Sequence, residues 1–112
     1  MDVPYAGEIK REQVAILEVG APFRNTGEGK VVKEIALNIP AKIEPLGGYL
    51  APDTMDTLVY RQRYRVWIRY RPGVTAFHQL RWRDKQMKID GVIEHSRLWL
   101  ELDASLAAVG KL

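Results

Sequence analysis

Apolar side chains recur at every second position through most of this chain, the spacing of strands that bury one face. Residues 7–19 predict a first strand, densest at Val14, Ala15, Ile16, Leu17 and Val19. Residues 20–30 (GAPFRNTGEGK) concentrate Gly, Pro, Asn and Thr and predict a long hairpin loop. From there the odd positions carry Val31, Lys33, Ile35, Leu37, Ile39, Ala41 and Ile43, against Val32, Glu34, Ala36, Asn38, Pro40, Lys42 and Glu44 at the even ones. The odd face should therefore point inward. Pro40 has no N–H to give to a ladder, which predicts an edge or a bulge beside it. Residues 45–54 (PLGGYLAPDT) read as a second long loop. Leu46, Tyr49 and Leu50 are unusual in a solvated loop, and either tuck back onto the core or serve a partner.

Over residues 58–71 the alternation is clean. Tyr64, Val66, Ile68 and Tyr70 share one face, and Arg63, Arg65, Trp67, Arg69 and Arg71 the other. Pro72-Gly73 predicts a turn, and residues 75–78 a short helical turn. Three strands follow. Residues 79–83 bury Leu80 and Trp82, residues 86–94 bury Met87, Ile89 and Ile93, and residues 97–103 bury Leu98, Leu100 and Leu102. Asp84-Lys85 and His95-Ser96 are the turns between them. The stretch 104–112 (ASLAAVGKL) reads as weakly helical and mobile. The sum is an all-β chain: a small antiparallel barrel or sandwich of about six strands with long loops, in which closure removes exposed edges. With 112 residues it forms one domain, 1–112, its core about residues 6–103.

Charge sharpens this picture. Residues 61–85 hold eight Arg or Lys (61, 63, 65, 69, 71, 81, 83 and 85) against Asp84 alone, a formal +7. The whole chain is +3, so the remainder carries −4. Such concentration steers a protein toward polyanions or acidic protein faces. The candidate surface is Arg61, Arg63, Arg65, Trp67, Arg69 and Arg71, joined by Trp99. By strand parity both tryptophans point away from the core, and Trp and Arg are enriched at interface hot spots. The plainer reading is a solvated strand whose arginine stems cover apolar surface.

Candidate chemistry is sparse. With no Cys there is no thiolate nucleophile, disulfide or Cys-based metal site. Neither His78 nor His95 has carboxylates at metal-ligand spacing; His78 caps or packs at a strand start and His95 sits in a turn. Gly27 to Lys30 (GEGK) lacks the spacing of a phosphate loop and reads as a hairpin turn. Glu101 and Asp103 share a strand face that reads as solvated. No enzyme activity, cofactor, metal or small-molecule substrate is expected. The N-terminus has no apolar segment of a secretory signal, and no apolar run reaches membrane-spanning length, so no membrane partner is expected.

The run Val66-Trp67-Ile68-Arg69-Tyr70-Arg71-Pro72-Gly73-Val74-Thr75-Ala76-Phe77-His78 continues through Leu80-Arg81-Trp82-Arg83, Met87-Lys88-Ile89-Asp90-Gly91-Val92 and Leu98-Trp99-Leu100-Glu101-Leu102. This order resembles the phage head–tail joining (head-closure, or stopper) family, with its IRYR-like strand end, short turn, apolar strands and final L-x-L strand. Gly7-Glu8-Ile9 through Val14, and Ile39-Pro40-Ala41-Lys42-Ile43-Glu44-Pro45, are similar to its opening strands. The resemblance spans roughly residues 6–103. Pro40 replaces the family's usual tryptophan, Met87 a common aromatic and Lys85 a common turn glycine. Prophage-derived and gene-transfer particles use similar proteins.

The resemblance implies a structural virion neck protein. It implies a ring of copies, usually a dodecamer, below the portal and adaptor proteins, closing the DNA channel and docking the tail proteins. The protein would reside at the head–tail interface, and in the host cytoplasm before assembly. It also implies that residues 46–54, with Leu46, Gly47, Gly48, Tyr49 and Leu50, project as a gate or onto a neighbouring copy, with Gly47-Gly48 as a hinge. The basic face would meet acidic protein surfaces, or DNA if it lines the channel. Two alternatives stay open: a small basic OB-like or SH3-like domain binding single-stranded nucleic acid, and a tail terminator ring protein.

Overall fold

The structure, a computed structural model, describes residues 12–22, 29–52 and 58–107. Six antiparallel strands form it: β1 (Glu12–Pro22), β2 (Gly29–Pro52), β3 (Leu58–Arg69), β4 (His78–Trp82), β5 (Lys85–His95) and β6 (Trp99–Ala107). They close in the order β1-β2-β3-β6-β5-β4, with β4 pairing back onto β1. The fold is thus a closed all-β barrel, with no helix among the described residues. Parts of three expected segments lie outside those residues: 7–11 of the first strand, 23–28 of the first loop with the start of GEGK, and 108–112 of the tail.

Inward-facing residues of all six strands fill the barrel. Val14 and Ile16, Ile39 and Ala41, Val66 and Ile68, Leu80, Met87 and Ile89, and Leu100 and Leu102 form one buried cluster. Full burial of such an aliphatic side chain is worth about 1.5–3 kcal/mol. Tyr64 and Trp82 meet edge to face at 5.5 Å at its margin. The predicted helical turn at residues 75–78 is a hydrogen-bonded turn instead. His78 N donates to Thr75 O at 3.1 Å and Phe77 N to Thr75 Oγ1 at 3.2 Å. Thr75 N donates to His78 Nδ1 at 3.1 Å, so His78 does cap the start of β4.

Bulges correct the expected inward faces. Along the β1–β2 ladder, Val14 pairs Ile39 but Ile16 pairs Ala36, Leu17 pairs Glu34, and Val19 pairs Val31 after Glu18 pairs Lys33. At each of these three steps β2 spends one residue more than β1. The extra residues fall at Leu37-Asn38, Ile35 and Val32, and Asn38 sits at φ 55. A one-residue insertion reverses which face the following side chains take. Ile39, Ala41 and Ile43 accordingly face the core as expected, and Ala36 joins them. Ile35 and Leu37, expected inside, are 44% and 52% exposed, and Val32 is 63% exposed. The bulge predicted beside Pro40 is thus two residues before it.

The same effect recurs in β5. Ile89 pairs Ala104 and Gly91 pairs Asp103, so Asp90 is the extra residue. Val92 then packs on the core, and Ile93, expected inside, is exposed. Leu98 was expected in the last strand, but Ser96 and Arg97 both take positive φ (51 and 59) in a turn closed by Leu98 N donating to His95 O at 3.0 Å. β6 therefore begins at Trp99 and leaves Leu98 exposed. It also runs past Asp103 to Ala107, with Ala104 and Ser105 buried, where the sequence suggested weak helix.

Candidate functional site

Residues 45–52, read from sequence as a loop, are the distal half of β2. They pair with β3 from Pro45–Tyr64 through Gly47–Arg63 and Tyr49–Arg61 to Pro52–Leu58. The expected gating segment, 46–54, is thus mostly one strand of a hairpin arm, and its residues 53 and 54 lie outside the described ones. Between Pro45 and Gly47 the ladder shifts by one, leaving Leu46 as a further extra residue. Gly47 takes φ +85 there, a conformation that side chains rarely adopt. Gln62 Nε2 ties the bulge down by donating to Gly47 O at 3.0 Å and Arg63 O at 3.2 Å.

Gly48 has a different reason. A Cβ there would overlap the Tyr60 ring and stand 2.7 Å from the Arg61 carbonyl oxygen. The Gly-Gly pair is therefore accounted for by a bulge and a close backbone approach. Gly48→Ala is expected to cost the arm about 1–3 kcal/mol of local stability, the range for overpacking. Hydrogen exchange checks this: amides of residues 46–51 should exchange faster while those of β4 and β5 stay protected, and uniform exchange would count against it. Leu46, Tyr49 and Leu50 all stand exposed on the arm.

The basic and aromatic face is built on β3 and β6, with β2 and β5 at its sides. Register sets Trp67 opposite Glu101 and Arg69 opposite Trp99 on β6, and His95 of β5 opposite Trp99. Both tryptophans lie outside the barrel interior, as parity predicts, yet both are buried and form a second apolar cluster. Neighbouring polar side chains cover them. Trp67 Nε1 donates to Glu44 Oε1 at 2.9 Å, its indole meets the His95 ring at 5.1 Å, and the Arg69 guanidinium lies 4.9 Å over Trp99.

Glu101, read from sequence as solvated, is 3% exposed beneath this layer. Its carboxylate lies 3.0 Å from His95 Nε2 and 3.1 Å from Arg65 Nε. The Arg65 Nε contact satisfies ion-pair distance without hydrogen-bond geometry, leaving that N–H unpartnered. Sequence reasoning missed Glu44, His95 and Glu101 as members of the cluster. Parity could have set Glu101 beside Trp99, but only the register brings either to Trp67.

The remaining charges divide in two. Arg61 donates to Ser105 Oγ at 2.9 Å, Arg81 pairs Glu34 at 2.6 Å, and Arg83 pairs Glu12 at 3.2 Å. With Arg65 included, three of the eight basic residues of the run thus pair with carboxylates of β1, β2 and β6. Arg63 is exposed on the arm and Arg71 half-buried after β3, and neither has an ion-pair partner among the described residues. Among those residues no group of His, Asp and Glu is placed to hold a metal ion.

No family model matches this chain, and no curated protein does. Among solved structures it is similar to a chain of the virion of a native gene transfer agent (GTA) particle. The TM-score is 0.66 over 89% of this chain and 98% of that one, at 14% sequence identity. At that identity the likeness establishes a shared fold, extending across nearly the whole of both chains.

Proposed function

We propose that this chain is a virion structural protein, not an enzyme, which acts in a ring at the head–tail junction to close the DNA channel and dock the tail. The observation that carries the reading is the end-to-end fold likeness to a chain of a gene transfer agent virion. The arm supports it: a strand pair presenting Leu46, Tyr49 and Leu50 to solvent is what contact between assembled subunits requires. Its partners would be further copies of itself, the portal and adaptor proteins and the tail proteins. On the basic face Arg61 and Arg65 already have hydroxyl and carboxylate partners, which favours protein contacts over DNA there.

Binding of single-stranded nucleic acid is the weaker reading. It needs aromatics exposed among the arginines as stacking platforms, and Trp67 is fully buried. A tail terminator would need the same kind of ring, and imaging separates the two. Electron cryo-microscopy of DNA-filled particles carrying the protein, reconstructed without imposed neck symmetry, should reveal a ring of these barrels between portal–adaptor and tail. A ring seated on the tail's own end of that junction would favour the terminator, and absence from the neck would overturn the reading.

A further inference from the structure

We propose that the cleft between the bulged half of β2 and the turn after β3 binds a small apolar carboxylate, with Arg71 holding its charged end. The motivating observation is an unsatisfied cation. Lys42, Arg61, Arg65, Arg71 and Arg81 are the half-buried Lys and Arg side chains among the described residues. Four of them have partners within the fold: Lys42 has Glu44, Arg61 has Ser105, Arg65 has Glu101 and Arg81 has Glu34. The Arg71 side chain has neither a hydrogen bond nor an ion pair among the described residues. Drawing a guanidinium part-way out of water without a counter-charge is unfavourable, and native structures rarely leave such a group unpaired. None of its nitrogens is sealed from solvent, so an anion can reach it.

Arg71 borders a cleft of about 310 Å³ whose other lining residues are Ile16, Ile35, Ala36, Pro72, Gly73 and Val74. The second β2 bulge turns Ile35 outward to make one wall. Ile16, nearly inaccessible, makes the floor. The Pro72-Gly73 turn makes the opposite wall. Gly73 takes φ +86, and a Cβ there would meet nothing within 4 Å, so space is open beside it. Both walls are anchored. Ala36 and Val74 pack against the barrel core, and Tyr70 N donates to Leu98 O at 2.9 Å just before Arg71. A preformed, mostly apolar hollow with one well-placed polar group is the usual form of a small-ligand site.

The lining sets the class of ligand. Apolar walls favour an apolar body. A single guanidinium presents a planar fork that matches a carboxylate with two hydrogen bonds. A phosphate monoester would bring a second charge, and no other base lines the cleft to meet it. No histidine, carboxylate or hydroxyl lines it either, so the ligand is held and not turned over. The cleft beside Gln13 and Leu37 makes a useful contrast. Its Arg81 and Arg83 are already paired, with Glu34 and Glu12, and so offer no open charge. This ligand role goes beyond the virion reading and stands independently of it.

Sodium octanoate is the probe, titrated into the purified protein below its micelle-forming concentration and followed by amide and methyl NMR. Saturable shifts should centre on residues 16, 35–36 and 71–74. Acetate lacks the apolar body and octanol the charge, and both should bind much more weakly. Arg71→Gln should weaken octanoate by about tenfold or more, the scale of a charge-assisted hydrogen bond. Ile35→Asp, at an exposed position, gives Arg71 an internal carboxylate and should block binding. Arg63→Gln, on the arm, should leave the affinity unchanged. Saturating octanoate should also raise the urea midpoint of the parent and not that of Arg71→Gln.

Parental affinity in Arg71→Gln, equal binding of octanol, shifts centred on residues 46–50, or no saturable shift would each overturn the proposal. A midpoint lowered alike in parent and Arg71→Gln would overturn it too, because octanoate would then favour the unfolded chain. Arg71→Gln removes no side-chain partner of the fold and should fold as the parent does. If it did not, octanoate binding that persists in Ile35→Asp would overturn the proposal without it.

Discussion

Replacing Trp67 with Ala should remove about 3–5 kcal/mol of stability, the range for emptying a large buried aromatic site. A domain of this size has only about 5–15 kcal/mol in total, so the variant should stand near the edge of unfolding. Trp67 is fully buried although it lies outside the barrel interior, and it is packed on Trp99 and His95 and hydrogen-bonded to Glu44. Truncation would open a cavity beside Trp99 and His95 and leave the Glu44 carboxylate without its indole donor. Urea unfolding followed by circular dichroism measures the effect. With a slope of roughly 1–3 kcal/mol per molar, the midpoint should fall by about 2 M.

Trp67→Phe keeps most of the apolar volume and loses the Glu44 bond, so it should fall by only about 1 kcal/mol. A Trp67→Ala midpoint within 0.3 M of the parent, on that same slope, would show that the outer cluster does not act as a second core. The consequence reaches the functional tests. Arg65 and Trp67 hold the fold together on this face, so their removal cannot separate a lost contact from a lost fold. Arg63 is exposed and has no ion-pair partner among the described residues, which makes it the clean position at which to test an acidic partner.

Alternation was enough to read about six antiparallel strands in a barrel or sandwich, because inward faces such as Val66-Ile68 and Leu100-Leu102 are spaced by two and need no knowledge of register; the register showed the barrel. Alternation failed wherever the backbone inserted a residue. Asn38 and Gly91 are weak signals of bulges, since Asn tolerates positive φ and Gly commonly marks a break in a strand. Nothing local, however, tells Ile35 from Ile39 when both fall on one parity. The turn after β5 was legible at His95-Ser96, but not its extension to Leu98 or the positive φ angles of Ser96 and Arg97, which delay the start of β6 to Trp99.

The arm was hidden for a different reason. Its glycines and prolines are those of a loop, yet Gly47 serves a bulge and Gly48 yields to Tyr60 within a continuous ladder. At the outer face, parity correctly set both tryptophans outside the barrel but could not tell that Glu44, His95 and Glu101 would cover them. Those three come from three strands, and only closure in the order β2-β3-β6-β5 brings them together. Composition marked Leu46, Tyr49 and Leu50 as either tucked on the core or kept for a partner, and the structure leaves all three exposed on a strand.

Changing Leu46, Tyr49 and Leu50 together to Ser should abolish incorporation of the protein into particles while its folding midpoint moves by less than the equivalent of 1 kcal/mol. All three side chains are exposed in the isolated chain, so their apolar atoms contribute little to the barrel. At a contact each would bury the area it now shows to water. Completing the burial of a half-exposed large apolar side chain is worth roughly 1 kcal/mol, so three give about 3 kcal/mol per contact. At 1.4 kcal/mol for each tenfold, that is a loss of about 100-fold in affinity at every contact. A closed ring repeats the loss at each neighbour, and assembly should fail well before the chain unfolds. The measurement is the amount of the variant in purified particles by quantitative mass spectrometry, beside its urea midpoint in solution. Particles with the parental amount of variant would remove the arm from the contact surface. A collapsed midpoint would mean instead that the arm stabilises the barrel, and Leu50→Ser alone, at the most exposed of the three positions (53%), then gives the contact's share free of unfolding.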